Sequence, residues 1–356
     1  MSVSHLRVLV VRNDKLGDFM LAWPAFKTLK QAHAHLHVTA LVPHYTAAMA
    51  HACPWIDEVM IDPGADAPAP AQHQLLVDVR AQQFDALLTL FSTPRIGWLG
   101  WRARIPVRIA PATKWAQVFY NVRIKQRRSQ SLKPEYRYNI ELAEAVLKRF
   151  GIEGHTATPP YWPVSPKRRR HARQHLVSTC GLDEQRPWWC VHAGSGGSAV
   201  NLSTEQYAHL IDAVDERLYR GVSWLLTAGP GEEAVADALC ETLKQRNIDA
   251  RRLPSCANLA EFAHCLSATD GIIAGSTGPL HIAGCLDMAT VGFYPAKRSA
   301  TPLRWQTCNS DDRRLAFCPP PDAQTDMSQI DIIAASDAIV AMIDRYYTVP
   351  ADTIGI

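Results

Sequence analysis

Three stretches of this chain have the residue types and spacing to act on phosphates or hydroxyls. The first is Arg12-Asn13-Asp14-Lys15-Leu16-Gly17-Asp18, a polar loop between the aliphatic run Leu6–Val11 and a helical pattern carrying Phe19, Leu21, Ala22, Phe26 and Leu29. Gly17 permits a tight turn and close approach of a ligand to the backbone. Asp18 stands at or just before the first helical turn, where a carboxylate either caps free N–H groups or is open to proton transfer. The second stretch is Gly275-Ser276-Thr277-Gly278-Pro279, between a strand pattern and a helix whose first turn can hold Pro279. Backbone N–H groups, the Thr277 hydroxyl and the positive helix end then converge, as binding a diphosphate requires; an ordinary strand-to-helix turn has the same outline. His281 falls in that first turn, either as a buried core residue or against the phosphates. The third is His192-Ala193-Gly194-Ser195-Gly196-Gly197-Ser198, a side-chain-poor backbone suited to a phosphate or sugar, or simply a mobile glycine loop.

Positioning these stretches falls to alternating strands and helices. Five of the six residues in Leu6–Val11 are aliphatic, which predicts a strand buried on both faces of a parallel sheet. Further strands read at residues 38–42, 58–61 and 85–90, then at 188–192, 222–227, 271–274 and 290–294, with helical patterns between. That alternation predicts two doubly wound α/β domains. Thr158-Pro159-Pro160-Tyr161-Trp162-Pro163-Val164-Ser165-Pro166 holds four prolines and reads as a linker. The division is therefore residues 1–158, a linker at 159–166, a second domain at 167–327, and a closing helix and tail at 328–356. Ser203-Thr204-Glu205-Gln206 has the form of a capping box.

Composition narrows the classes. At 356 residues, with 47% hydrophobic and 20% charged residues, each half can bury a core, and a net charge of +3 gives no case for nucleic acid. Nine cysteines without a CxxC pair suit free thiols in a reducing compartment. No signal peptide and no apolar run of about 20 residues is present, which predicts a cytoplasmic protein. Between Arg95 and Arg137, basic residues such as Arg102, Arg104, Lys114, Arg123, Lys125, Arg127 and Arg128 interleave with Trp98, Trp101, Trp115, Tyr120 and Tyr136. Such a mixture suits an anionic sugar acceptor, a phospholipid surface, or a solvated face.

Taken in order, residues 11–19, His192 to Ser198, and Ser276-Thr277-Gly278-Pro279-Leu280-His281-Ile282-Ala283 resemble the lipopolysaccharide heptosyltransferase family, the ADP-heptose-dependent glycosyltransferases. The resemblance spans nearly the whole chain. It implies the GT-B architecture: two Rossmann-like doubly wound domains facing across a cleft, with a C-terminal helix packing back on the first. It implies an ADP-sugar donor held by Lys15, Gly17, Gly194, Ser195, Ser276, Thr277, Gly278 and His281, with Glu232 on the ribose hydroxyls. Two positions depart from the family pattern. Asn201 stands where a Lys commonly meets the donor phosphates, and Ser276 where many members have Asp; Lys297 and Arg298 are the candidate replacement charges. The implied reaction is inverting transfer of heptose from ADP-heptose to Kdo or heptose of a lipid-linked inner core, with Asp18 as general base. Arg123, Lys125, Arg127 and Arg128 are the candidate acceptor patch, with peripheral contact at the inner membrane. No cofactor is implied, and with no DxD triplet no metal is expected. The alternatives are a related GT-B transferase using another nucleotide sugar, or a non-catalytic nucleotide-sugar-binding protein.

Overall fold

Leu6–Val11 forms strand β1, and its aliphatic side chains are buried because helices cover both faces of the sheet it joins. The computed structural model describes residues 5–112, 115–196, 200–219 and 221–348, and only the backbone of Trp115, Tyr347 and Thr348. Lys114, the Gly197-Ser198 end of the glycine loop and the tail from residue 349 lie outside the described residues. The chain divides into Met1–Trp162 and Pro163–Ile356.

In the first domain β1 is followed by α1 (Leu16–Met20), α2 (Trp23–Ala32), β2 (Leu36–Pro43), α3 (Ala47–Ala52), β3 (Glu58–Asp62) and α4 (Ala69–Ala81). Then come β4 (Ala86–Thr89), α5 (Pro94–Arg102), β5 (Val107–Pro111), β6 (Val122–Ile124) and α6 (Glu135–Arg149). The six strands are parallel in the order β3-β2-β1-β4-β5-β6. The chain winds outward from β1 to β2 and returns on the other side at β4, so winding reverses beside the carboxyl end of β1. Open α/β sheets bind ligands at such a point. The helix expected after the first loop is two helices, because Pro24 at the start of α2 ends the first run.

In the second domain the elements are α7 (Pro166–Cys180), β7 (Trp188–His192), α8 (Thr204–Asp215), β8 (Ser223–Leu226), α9 (Glu233–Gln245) and β9 (Ala250–Arg252). They continue with α10 (Leu259–Ser267), β10 (Gly271–Gly275), α11 (Gly278–Cys285), β11 (Ala289–Phe293), α12 (Pro302–Trp305), β12 (Arg314–Phe317) and α13 (Ile332–Thr348). The sheet is again parallel, ordered β12-β11-β10-β7-β8-β9, and reverses between β7 and β10. The capping box at Ser203 and Gln206 is present in both directions.

The boundary between the two units, after Trp162, falls inside the Pro-rich segment 159–166. Tyr161 and Trp162 are buried in the first domain, Trp162 packs on Trp23 at 4.9 Å, and the Lys27 ammonium donates to the Thr158 and Pro160 carbonyls. Aromatic area buried against α2 outweighs the extended tendency of the prolines. In the closing helix α13, Ala335, Ile339, Met342 and Ile343 are buried in the second domain's core with Leu210 and Val214 of α8. Arg217 also pairs with Asp337 at 3.3 Å.

Candidate active site

At the end of β1 the residue after Val11 is Arg12, whose side chain is only 2% exposed. A buried guanidinium needs carboxylates, and Arg12 has three. Its Nε donates to Asp14 at 2.7 Å, one Nη to Asp18 at 2.5 Å, and the other Nη to Glu135 of α6 at 3.2 Å. Glu135 is also held by Arg128, which donates at 2.7 Å, gives a second bond to the Leu90 carbonyl and stacks over Tyr138. Asn139, one turn along α6, donates to the Leu21 carbonyl and so fixes α6 against the junction of α1 and α2.

Asp18 does not cap α1. The capping position is Lys15, and Asp18 lies within the helix with its carboxylate on Arg12. Burial pushes the Asp18 carboxyl up to about 6, with the neighbouring charges of Asp14 and Glu135 adding to the rise and Arg12 opposing it. Such a carboxylate is ionised near neutrality yet accepts a proton more readily than an ordinary one. Tyr45 closes the group: its hydroxyl donates to the Asp14 carbonyl and is pushed up to about 12, chiefly by burial and then by Asp14 and Asp18. Lys15 is exposed beside it. Gly17 lies within α1 and is not among the glycines of positive φ, so its use is absence of a side chain rather than a special turn.

The candidate acceptor residues separate into two kinds. Lys125 and Arg127 are exposed, and Arg123 is exposed with its Nε on the Tyr120 carbonyl. Arg128 is turned inward onto Glu135 and belongs to the Arg12 network instead, because a buried carboxylate there requires a cation.

The second domain gathers the loops after β7, β8 and β10. Glu232, in the loop after β8, accepts hydrogen bonds from the Gly196 and Gly229 amides and faces His192 at 3.5 Å. His192, the last residue of β7, meets the Thr227 hydroxyl at 3.0 Å through its other nitrogen, and burial lowers its pKa against the pull of Glu232. Gly194 is glycine for a local reason: a Cβ there would stand 2.1 Å from a Glu232 carboxylate oxygen. Asn201 ties the loops together. Its amide donates to the Ala193 and Gly194 carbonyls, its oxygen accepts from Tyr207 at 2.8 Å, and it presses on Gly275 at the end of β10.

Thr277 is the capping residue of α11, but its N–H and hydroxyl both turn back onto the Gly275 carbonyl, at 2.7 and 3.3 Å. The free donors of that turn are therefore the Gly278 and Leu280 amides, since Pro279 has no N–H and His281 donates to the Thr277 carbonyl. His281 is 3% exposed, burial lowers it to about 4, and its Nδ1 lacks a hydrogen-bond partner among the described residues. Ser276 is half-buried at the same turn, and Ser195 half-buried on the glycine loop. Lys297 and Arg298 lie exposed in the loop beyond β11, the strand next to β10.

Several of these residues are not evident from motif spacing. Arg12, Glu135, Asn139 and Tyr45 surround Asp18, and His192 with Thr227 positions Glu232. A signal exists for two of them: Arg12 is a charge abutting an aliphatic strand, and Glu135 is the first acidic residue after an acid-free run from Ala86 to Pro134. Among the described residues no group of three or more His, Cys, Asp or Glu is placed to hold a metal ion.

Comparison with known proteins fixes the family. The sequence profile of glycosyltransferase family 9 (heptosyltransferase) matches residues 72–316. A Haemophilus influenzae protein, whose name proposes a glycosyltransferase and gives neither donor nor acceptor, is 41% identical over 336 residues, 94% of each chain. Among solved structures, the Escherichia coli ADP-heptose lipopolysaccharide heptosyltransferase II superposes with a TM-score of 0.75 at 14% identity, covering 96% of this chain and 100% of that one. The Escherichia coli heptosyltransferase WaaC, solved with ADP, gives 0.69 at 19% identity, covering 95% and 100%. These identities speak for the fold, while the profile and the close relative speak for the family. The chain belongs to glycosyltransferase family 9, the heptosyltransferase family, and is a glycosyltransferase built from two parallel-sheet α/β domains in a GT-B-like fold.

Proposed function

We propose that this transferase moves heptose from ADP-heptose to a Kdo or heptose residue of a lipid-linked lipopolysaccharide inner core, with inversion and without a metal, at the cytoplasmic face of the inner membrane. The observation that carries the reading is Asp18, a carboxylate with raised proton affinity held on Arg12 where the winding of the first sheet reverses. Its free oxygen takes the proton of the acceptor hydroxyl as that oxygen bonds to the anomeric carbon and the anomeric carbon–phosphate oxygen bond breaks. In the second domain, the Gly278 and Leu280 amides in the first turn of α11 take up charge on the departing ADP, with Ser276, Thr277 and neutral His281 beside them. Lys297 and Arg298 add positive charge, Glu232 accepts from the ribose hydroxyls, Gly194 leaves room for the Glu232 carboxylate, and Ser195 lies beside the nucleotide. Lys15 and Gly17 receive the donor sugar near the base, and Arg123, Lys125 and Arg127 receive the anionic acceptor. Support for the donor comes from WaaC, which has also been solved with ADP-2-deoxy-2-fluoro heptose at a TM-score of 0.66.

One observation favours a second reading. Asn201 is fully engaged in tying the loops together and offers no charge to a diphosphate, so a related transferase with another nucleotide sugar fits this site as well. Incubation with ADP-heptose and a panel of truncated lipopolysaccharides tests both: ADP release with a product heavier by one heptose supports the first. Turnover only with a different nucleotide sugar supports the second, and nucleotide binding without release of a diphosphate would sink both.

A further inference from the structure

From Ala86 to Pro134 the chain has ten Lys and Arg and no Asp or Glu. This segment folds into the β4, β5 and β6 side of the first-domain sheet with its crossover α5. Helix α5 buries Ile96, Gly97, Leu99 and Gly100, so Trp98 and Trp101 are left on its other face, 42% and 52% exposed. The short helical turn Trp115–Phe119 packs beside it, with the Phe119 ring 6.5 Å from Trp101 and Val118 64% exposed. Arg102 lies over the Trp98 ring at 5.8 Å, and Arg104 is exposed just beyond the helix.

Two indoles on one exposed helical face, in a stretch of sequence with no acidic residue, ask for a partner that is apolar and anionic at once. A bilayer of anionic phospholipid has both layers in the right order: a headgroup–acyl boundary that accepts tryptophan, under phosphates that accept guanidinium. We infer that the outer face of α5, with Trp98, Trp101, Arg102, Arg104 and neighbouring Val118, is a seat for an anionic phospholipid surface. Helix α7 is the informative contrast. Lys167-Arg168-Arg169-Arg170 is an exposed run of four cations, but the aromatic beside it, Trp188 under Arg173, is fully buried, so α7 can attract a charged surface without entering it. The seat rests on the lipid-linked acceptor proposed above for its purpose; the binding itself needs neither donor nor acceptor.

Sedimentation of the full chain with phosphatidylcholine vesicles, with and without phosphatidylglycerol, tests this. The parent should partition to the anionic vesicles. Trp98→Ala with Trp101→Ala should lower that partition about tenfold or more. Arg102→Gln with Arg104→Gln should lower it about fivefold per charge, and Arg168→Gln with Arg170→Gln on α7 should change it less than about twofold. Binding by the tryptophan variant equal to the parent's, or a larger loss from the α7 variant, would overturn the seat. So would concentration-dependent self-association of the parent that the tryptophan variant loses, since the face would then belong to a second copy. Transfer to a lipid-free core oligosaccharide does not need the seat, so a chain that transfers there yet ignores vesicles overturns the seat and leaves the reaction standing.

Discussion

The two domains place their candidate chemistry at the same topological position and build it from opposite materials. In the first, the reversal point is crowded with charge: Asp14, Asp18 and Glu135 share the buried Arg12 guanidinium, and Arg128 backs Glu135. In the second it is mostly backbone, with Glu232 accepting from two glycine amides, Asn201 holding carbonyls and His281 neutral. A rim that must move a proton needs a side chain with a tuned proton affinity, whereas a rim that binds a diphosphate needs fixed N–H dipoles and room. The difference in material therefore predicts different failures on mutation.

The largest effect belongs to the charged rim. Asp18→Asn keeps the shape and removes the proton acceptor, so turnover should fall about 10²–10⁴-fold with ADP affinity unchanged by calorimetry. The same variant should gain stability. The folded carboxyl sits at about 6 against an ordinary 3.8, so the stability it contributes is complete below 3.8 and is lost as pH rises through 6. Near pH 7 the Asn variant should thus be more stable than the parent by roughly 1–3 kcal/mol, and denaturant titration at low pH should close the gap. Arg12→Met is the converse: it strands buried carboxylates and should cost about 3–5 kcal/mol of stability, measured by urea unfolding. A mild effect there would mean that the cluster is solvated and the contrast between the rims is false.

The backbone-built rim should respond to whatever displaces Glu232 from the glycine amides, by volume or by lost charge. Gly194→Ala drives a methyl into the Glu232 carboxylate and expels it from its two amides, while Glu232→Gln turns an N–H₂ toward one of them. Each should weaken ADP binding by roughly 1.5–3 kcal/mol, the worth of hydrogen bonds to a charged group, and leave the pH dependence of turnover alone. Unchanged ADP affinity in both variants would remove Glu232 from the donor site.

Legibility in the sequence followed local pattern. The buried apolar runs of β1, β7 and β10 and the Ser203 capping box announce themselves, because burial on both faces and capping depend on neighbours in the chain. Strands β5 and β9 do not: Val107–Pro111 is interrupted by Arg108, whose guanidinium is spent on the Ile105 and Phe119 carbonyls, and Ala250–Arg252 is a three-residue edge strand carrying two arginines. The candidate base was legible at Asp18, while the group that tunes it was not. Glu135 is 123 residues from Arg12 in sequence, and only the packing of α6 on α2 brings the pair together. The same packing turns Arg128 from a surface charge into a half-buried partner of Glu135.

The smallest expected effect tests that tuning directly. Asp18 is faced by Arg12 from the end of β1, by Asp14 from the loop, by Glu135 from α6 with Arg128 behind it, and by the Tyr45 hydroxyl. Arg12 favours the ionised form, and the two other carboxylates disfavour it. Glu135→Gln removes one repelling charge while keeping an oxygen for Arg12 and Arg128, so the acid limb of kcat/KM, expected near pH 6 in the parent, should move to lower pH by less than about one unit. Asp14→Asn should move it the same way and further, since Asp14 ranks ahead of Glu135 among the charges raising Asp18. Glu232→Gln, which touches the other rim, should leave the limb in place while weakening the donor. A limb that stays put in Glu135→Gln and Asp14→Asn would belong to another group, and Asp18 would then not be the carboxylate whose titration limits transfer.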